Sequence, residues 1–370
     1  MFDRLLYQIA KPALFAMDGE RAHDITLSNL ATIANSSFAC SALAKLYENK
    51  VEALPIRCMG LDFKHPIGLA AGLDKEAKAF NSFSALGFSG VEMGTVTPKP
   101  QPGNDKPRLF RLVEDQALIN RMGFNSGGLD AFLENFARAD AKTMEHTIAG
   151  INIGKNAATS IDDAHYDYVA ALQRVYSKAG YITVNISSPN TKSLRELQNA
   201  SYLDGFLHHI KQAQDKCVKV HKRKVPIALK VAPDLEESEI ETISELVLSH
   251  RFDAVIATNT TIARPGGLKS KNAHEIGGLS GAPVRDASTE VIARFYRHLK
   301  GEVSIIGVGG IASADDAWDK LVAGADYLQI YTMFIYLGPI VVRDIVAGLA
   351  EKVRNLNCET LAEALEQARG

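Results

Sequence analysis

The spacing of apolar and polar positions divides the chain into two unlike parts. In the first, apolar residues recur at helical intervals: Phe2, Leu5, Leu6, Ile9, Ala13 and Leu14. Pro12 sits inside that stripe, and its missing N–H predicts a kink or a break there. Asp18 reads as the N-cap of a second helix that starts at Gly19 or Glu20 and runs to about Ala34. His23, Leu27, Leu30 and Ala34 share one face of it. Such a helix pair either closes the bottom of the domain that follows or lies in a membrane interface. The first helix has only Arg4 and Lys11 as cations, so electrostatic attraction to lipid would be weak.

From about Pro55 the pattern changes to short apolar runs at 67–71, 90–95, 147–153, 182–186, 226–231, 254–258, 304–308 and 327–331. Helix-type stretches lie between most of them, such as 164–179, 204–220, 236–249, 288–299 and 314–323, the last with Ser313 as N-cap. This alternation predicts an α/β fold, a (β/α)8 TIM barrel with a small N-terminal helical extension. An open doubly wound sheet is the alternative, but eight strands is the number that closes. The interval 97–146 is too long for a simple βα unit. It opens on Pro98-Lys99-Pro100-Gln101-Pro102-Gly103, which has turn composition, so an elaborated loop is expected. The apolar stretch 327–342 contains Gln329 and is broken by Gly338-Pro339, so it reads as a buried strand and a turn, not a membrane span. The expected division is 1–50 for the helical extension, 51–350 for the barrel and 351–370 for a helical tail.

Polar residues collect at one end of these strands, the end where barrel enzymes do their chemistry. Ala71 and Gly72 permit close approach of a flat ligand, and Lys75 follows. Thr95, Asn152, Asn185 and Lys230 come at the ends of the second to fifth strands. Thr258, Asn259, Thr260 and Thr261 follow the sixth, Gly309 and Gly310 the seventh, and Tyr331 and Thr332 the eighth. Singly, each has an ordinary explanation; Ser187, Ser188 and Asn190 in N-I-S-S-P-N could simply satisfy turn backbone. Jointly they form a site, and a lysine within a central strand needs something negative facing it. Glycine-rich 307–310, with 278–281 beside it, suits a phosphate held by backbone N–H groups.

Composition narrows the function classes. A net charge of −2 gives no basic field for nucleic acid. Cys40, Cys58, Cys217 and Cys358 are far apart, which argues against a zinc knuckle or a disulfide framework; no metal site is expected. The N-terminus reads as no secretory leader.

With those residues in hand, the chain resembles the dihydroorotate dehydrogenases, specifically their membrane-associated, quinone-dependent class. The resemblance rests on G-L-A-A-G-L-D-K at 68–75, G-T-V-T-P-K-P-Q-P-G-N at 94–104, P-R-L-F-R-L at 107–112 and L-I-N-R-M-G-F-N at 118–125. It continues with G-I-N-I-G-K-N at 150–156, N-I-S-S-P-N-T at 185–191, K-V-A-P-D-L at 230–235, A-T-N-T-T at 257–261, G-G-L-S-G at 277–281 and I-I-G-V-G-G-I at 305–311. It implies FMN across the barrel mouth, bound by Ala71, Gly72, Leu73, Asp74, Lys75, Thr95, Asn152, Asn185, Lys230 and Thr258. Gly281, Gly310, Tyr331 and Thr332 would surround its phosphate. The implied substrate is dihydroorotate, the product orotate, in pyrimidine (UMP) biosynthesis. Lys75, Asn120, Arg121, Met122, Gly123, Phe124, Asn185, Asn190, Asn259 and Thr260 would surround it. Ser188 would be the base, where soluble relatives carry cysteine.

A membrane quinone would take the electrons through a tunnel that includes His23, Arg111 and Tyr331. The resemblance also implies a peripheral protein on the cytoplasmic side of the inner membrane, attached through the N-terminal helices. Met333 departs from the family's usual small residue beside the phosphate. Rival readings are a soluble-class flavin dehydrogenase using fumarate or NAD, a phosphate-substrate lyase or isomerase with Lys230 as nucleophile, and a membrane-surface binding protein without catalysis.

Overall fold

The eight apolar runs are the eight strands of a closed barrel. The computed structural model describes residues 2–191 and 193–370; the side chains of residues 2–6, and with them Phe2, Leu5 and Leu6 of the predicted stripe, fall outside the described residues. The strands are β1 (Ile67–Leu69), β2 (Gly90–Val96), β3 (Ile148–Ile153), β4 (Tyr181–Asn185), β5 (Ile227–Lys230), β6 (Ala254–Ala257), β7 (Ser304–Val308) and β8 (Tyr327–Ile330). Each pairs in parallel with the next, and β8 closes on β1. Helices cover the outside, so both faces of every strand are buried; continuous apolar runs result instead of alternation. Ser313 caps its helix as expected, accepting from the Asp316 N–H.

One end of the barrel is plugged. Tyr327 stacks on Phe63 at 4.0 Å, and the hairpin of Ile56–Cys58 and Leu61–Phe63 covers them. The other end, where the chain leaves each strand, stays open. A three-stranded antiparallel sheet stands over it, built from Leu109–Leu112, Ala117–Asn120 and Gly278–Gly281. This is the elaboration expected within 97–146, joined to the loop after β6.

The extension has three helices instead of two: α1 (Phe2–Ala16), α2 (Gly19–Ala34) and α3 (Ser37–Leu46). Asp18 caps α2 through the N–H groups of Glu20 and Arg21, as the sequence implies. Pro12 does not break α1. The helix docks beside residues 335–338, where the Tyr7 hydroxyl donates to the Ile335 carbonyl and Lys11 Nζ donates to the Tyr336 carbonyl at 2.8 Å. Gly338 makes this possible: a Cβ there would lie 2.4 Å from the Tyr7 ring. Nor does the extension close the barrel bottom. Along α2, His23 Nε2 is 2.8 Å from the Leu73 carbonyl, and the Leu30 carbonyl accepts from Ser82 Oγ at 2.6 Å. Leu73 belongs to the loop after β1, so α2 lies beside the mouth.

The Glu20 carboxylate anchors that packing. Arg108 Nη2 donates to it at 2.8 Å, with the two side chains 7% and 8% exposed, and Lys106 adds a contact at 3.1 Å. Burial would raise the Glu20 pKa, but the Arg108 and Lys106 hydrogen bonds outweigh it and hold the carboxyl below its ordinary range. Its contribution to stability is therefore present above the ordinary carboxylate range and lost as pH falls through the depressed value. Glu20→Ala leaves the Arg108 guanidinium buried without its carboxylate. A loss of about 3–5 kcal/mol is expected in denaturant melts; a change under 1 kcal/mol would mean that water replaces the carboxylate.

At the other terminus, Ile340–Asn355 and Leu361–Arg369 are helical. Arg369 Nη2 donates to the Leu321 and Ala325 carbonyls at 2.6 and 3.2 Å, tying the tail to the barrel wall. Among the described residues, no helix is long and apolar enough to cross a membrane.

Candidate active site

The mouth holds a cavity of about 160 Å³, far more than one water needs. Residues from most strand ends reach it: Ala71, Gly72, Lys75, Thr95, Asn185, Ser188, Asn190, Lys230, Thr258, Asn259, Thr260, Gly310, Tyr331 and Thr332. The lid adds Asn120, Met122, Gly123, Phe124 and Gly281. These are residues that the sequence analysis assigns to a ligand site. Gly72 has φ +111°, and a Cβ there would approach the Tyr331 ring to 3.3 Å, so glycine keeps this wall flat.

A directed chain of hydrogen bonds orders the amides. Glu92, fully buried on β2, accepts from Asn152 Nδ2 at 2.8 Å, the Tyr181 hydroxyl at 2.9 Å and Gln329 Nε2 at 2.7 Å. Asn152 Oδ1 then accepts from Thr95 Oγ1 at 2.6 Å and Asn185 Nδ2 at 3.2 Å. Asn185 Oδ1 in turn accepts from Ser187 Oγ at 3.1 Å and Asn259 Nδ2 at 3.4 Å. The carboxyl group at the root only accepts in these contacts, which sets the direction of each amide above it.

Lys230, next to Asn185 in the β4–β5 register, is 5% exposed. Burial lowers its pKa, while the Glu92 charge works the other way. Its ammonium makes no hydrogen bond among the described residues, and Gln329 Oε1 in the same lining is buried without a partner. Lys75 donates to Asn125 Oδ1 at 2.9 Å, and burial takes it down to about 8. Asn190 Nδ2 donates to the Asn120 carbonyl at 3.0 Å, which joins the β4 loop to the lid. Ser188 is 7% exposed, and its Oγ accepts from the Asn190 N–H at 3.3 Å.

Four of the expected residues do not line this cavity. Leu73 turns to a second cavity. Asp74 is fully buried and caps a turn, accepting from the Lys78 and Ala79 N–H groups at 2.9 and 2.8 Å. Asn152 stands one layer below the cavity, between Glu92 and Asn185. Arg121 points outward to Glu275 at 2.7 Å. Conversely, Glu92 and Gln329 went unassigned, although a carboxylate inside the apolar run 90–95 was a visible signal. Leu109, Leu118 and Ser280 also line the cavity through the lid, which no local pattern announces.

The glycine-rich end is lined by Ser280, Gly281, Gly309, Gly310, Ile311, Thr332 and Met333, with no basic side chain. Met333 is buried there, within that lining. A lysine does stand behind it, and burial takes it down to about 7. Lys320, fully buried, donates to the Arg285 carbonyl and to Ser288 Oγ, and Ser288 Oγ donates to the Val308 carbonyl at 2.6 Å.

The second cavity, about 290 Å³, is walled by α1, α2 and α3 and by residues around Phe334. Leu14, Phe15, Ala22, Leu27, Leu30, Leu43 and Leu73 make it apolar. His23, Leu109, Leu118 and Tyr331 line both cavities and form the partition. Burial pushes the Tyr331 phenol up to about 12, so it stays neutral. Arg111 lines the second cavity, and its guanidinium caps α1 by donating to the Leu14 and Met17 carbonyls.

The family model for dihydroorotate dehydrogenase matches residues 53–353, most of the chain. The chain belongs to the dihydroorotate dehydrogenase family. Among curated relatives, the dihydroorotate dehydrogenase (quinone) of Shewanella denitrificans is 49% identical over 348 residues, spanning 94% of this chain and 100% of that protein. That of Janthinobacterium sp. (strain Marseille) is also 49% identical, over 94% of this chain and 99% of its own. Among solved structures, Eimeria tenella DHODH in complex with ferulenol superposes with a TM-score of 0.85 at 37% identity, covering 94% of each chain. The ligand-free form from the same organism gives 0.84 at 38% identity, covering 94% of this chain and 98% of that one. The dihydroorotate dehydrogenase match begins at residue 53, so the three helices precede it. The quinone-type relatives extend the likeness across 94% of the chain.

Proposed function

We propose that the protein oxidises dihydroorotate to orotate in pyrimidine biosynthesis, with FMN in the mouth cavity and a membrane quinone as final electron acceptor. It is an oxidoreductase acting on a CH–CH bond. The observation that carries the cofactor is the buried Lys230 ammonium, which lines the cavity with no hydrogen bond among the described residues, while Gln329 Oε1 of the same lining has no partner among them. A ring with an anionic acceptor edge for Lys230 and a separate N–H or O–H donor for Gln329 Oε1 satisfies both, and the residues present fit FMN. When bound, the flavin takes up the substrate's hydride and hands its electrons to the quinone.

Lys230 supplies fixed positive charge to the ring edge without reorganisation. Ala71 and Gly72 give a flat wall, and Thr95, Asn185 and Thr258 line the polar edge. At the phosphate end, donors from Gly281, Gly310 and Thr332 suit an anion, with the Lys320 amine behind them. The carboxylated, amide-edged substrate suits Lys75, Asn120, Asn185, Asn190, Asn259 and Thr260, with Met122, Gly123 and Phe124 covering it. Ser188 is the proposed base at C5. A hydroxyl is weak in that role, so shielding from bulk water and the N–H donated by Asn190 matter.

The apolar second cavity suits a quinone ring, with His23 and Tyr331 between it and the flavin site. Ile9 on α1 and Phe38 on α3 are 67% and 84% exposed, which supports an extension (residues 1–50) resting on a membrane surface beside the FMN-binding barrel (51–350). The proposed location is peripheral, on the cytoplasmic face of the inner membrane. Purified protein should be yellow and release FMN on denaturation. In stopped flow, dihydroorotate should bleach the flavin and a short-chain quinone should restore it. A colourless, fully active preparation would instead favour Lys230 as the nucleophile of a lyase.

A further inference from the structure

One residue outside the cavity ties together three of the loops that surround it. Arg195 lies on the short 3-10 helix Leu194–Gln198, after the β4 loop. Its Nε donates to the Ser187 carbonyl at 3.1 Å, its Nη2 to the Thr260 carbonyl at 2.9 Å and its Nη1 to Asp234 Oδ2 at 2.7 Å. Asp234, in the loop after β5, also accepts from the Thr261 hydroxyl and from the Ile262 N–H at 3.2 Å. The guanidinium and its carboxylate thus span the loops after β4, β5 and β6. Both side chains are about one-fifth exposed, 21% and 22%, and neither lines the cavity.

The two carbonyls held by Arg195 belong to the neighbours of cavity-lining groups. Ser187 precedes Ser188, and Thr260 follows Asn259. A second bond already joins these loops nearer the cavity, from Asn259 Nδ2 to Ser187 Oγ at 3.0 Å. That bond and the longer one from the same nitrogen to Asn185 Oδ1, at 3.4 Å, start from a single amide; the fork outside adds further fixed points. A guanidinium is planar and presents donors in fixed directions, whereas an ammonium acts as a point charge. A partly exposed ion pair contributes little to stability, so what this one supplies is geometry.

We propose that Arg195 is a positioning residue for the reaction: with Asp234, it fixes the distance between the Ser188 loop and the Asn259–Thr260 loop, and so the placement of the base against the substrate ring. The proposal rests on the function given above. Small displacements of reacting groups are costly, about a hundredfold in rate for 1 Å.

The test uses full-length holoenzyme and follows the two half-reactions separately. Arg195→Ala is expected to slow flavin reduction by saturating dihydroorotate about ten- to a hundredfold and to raise the substrate KM. Arg195→Lys should be nearly as slow, because it keeps the charge and loses the fork. Added guanidinium ion should restore part of the rate to Arg195→Ala. FMN content and reoxidation by quinone should match wild type. Asp234→Asn should be slow too, and the double variant should fall well short of the product of the single effects. Equal loss in both half-reactions, FMN release, full rescue by lysine or unchanged reduction would each overturn the proposal and leave Arg195 a structural residue. Flavin-free wild type would sink the functional reading and this proposal together; flavin-bearing wild type with an unaffected Arg195→Ala sinks the proposal alone.

Discussion

Replacing Ser188 with alanine is expected to slow flavin reduction by dihydroorotate about 10²–10⁴-fold, the usual contribution of a positioned general base, while the protein stays yellow. The hydroxyl is 7% exposed and lines the mouth cavity, so bulk water is poorly placed to take over proton removal. Its recorded contact, the N–H of Asn190, is donated to Oγ. That N–H holds the oxygen in place and leaves the hydroxyl proton to be passed on. Losing Oγ removes the proton acceptor without opening a large void, so thermal stability should change little. Reoxidation by quinone should be untouched, because the second cavity shares His23, Leu109, Leu118 and Tyr331 with the first but not Ser188. Reduction at the wild-type rate would end the assignment of Ser188.

Filling the second cavity should have the opposite signature. Ala22 is 8% exposed on α2 and lines that space. A tryptophan there would occupy much of about 290 Å³. Quinone reoxidation of the reduced flavin is expected to fall about tenfold or more, a barrier increase of at least ~1.4 kcal/mol. Flavin reduction by dihydroorotate should stay near wild type. Overpacking costs of about 1–3 kcal/mol in stability are tolerable for the measurement. Removing residues 1–50 is a poorer test, because Glu20, Leu30 and Ala34 hold Arg108, Ser82 and Asn81 of the barrel side. Truncation would damage both half-reactions for structural reasons. If Ala22→Trp slowed both half-reactions alike, or neither, the apolar space would not be the quinone's path.

How much of this was legible without coordinates depends on the range of the interaction. The barrel strands were readable because burial on both faces makes each a continuous apolar run, and the turn residues after them are local signals. The caps at Asp18 and Ser313 were readable for the same reason: cap and capped N–H lie within a few residues. The cluster of Thr95, Asn185, Lys230 and Thr258 followed once the strands were known, because all stand at the same end of parallel neighbours.

What needed the tertiary structure is long-range or directional. Residues 109–120 and 278–281 form one sheet although four of the eight barrel strands lie between them in the chain, and nothing near either segment announces the other. Pro12 stays helical because contacts with residues 335 and 336 outweigh its local preference. Asp74 and Arg121 belong to the right motifs but turn away, one to cap a turn and one to meet Glu275, because a motif does not fix where a side chain points. Sequence alone placed most of the cavity-lining polar residues at one end of the strands, since strand ends are written locally. Only the folded chain decided which of them face the cavity and that Glu92 lies beneath them, because a buried acidic side chain is placed by partners far away in the chain.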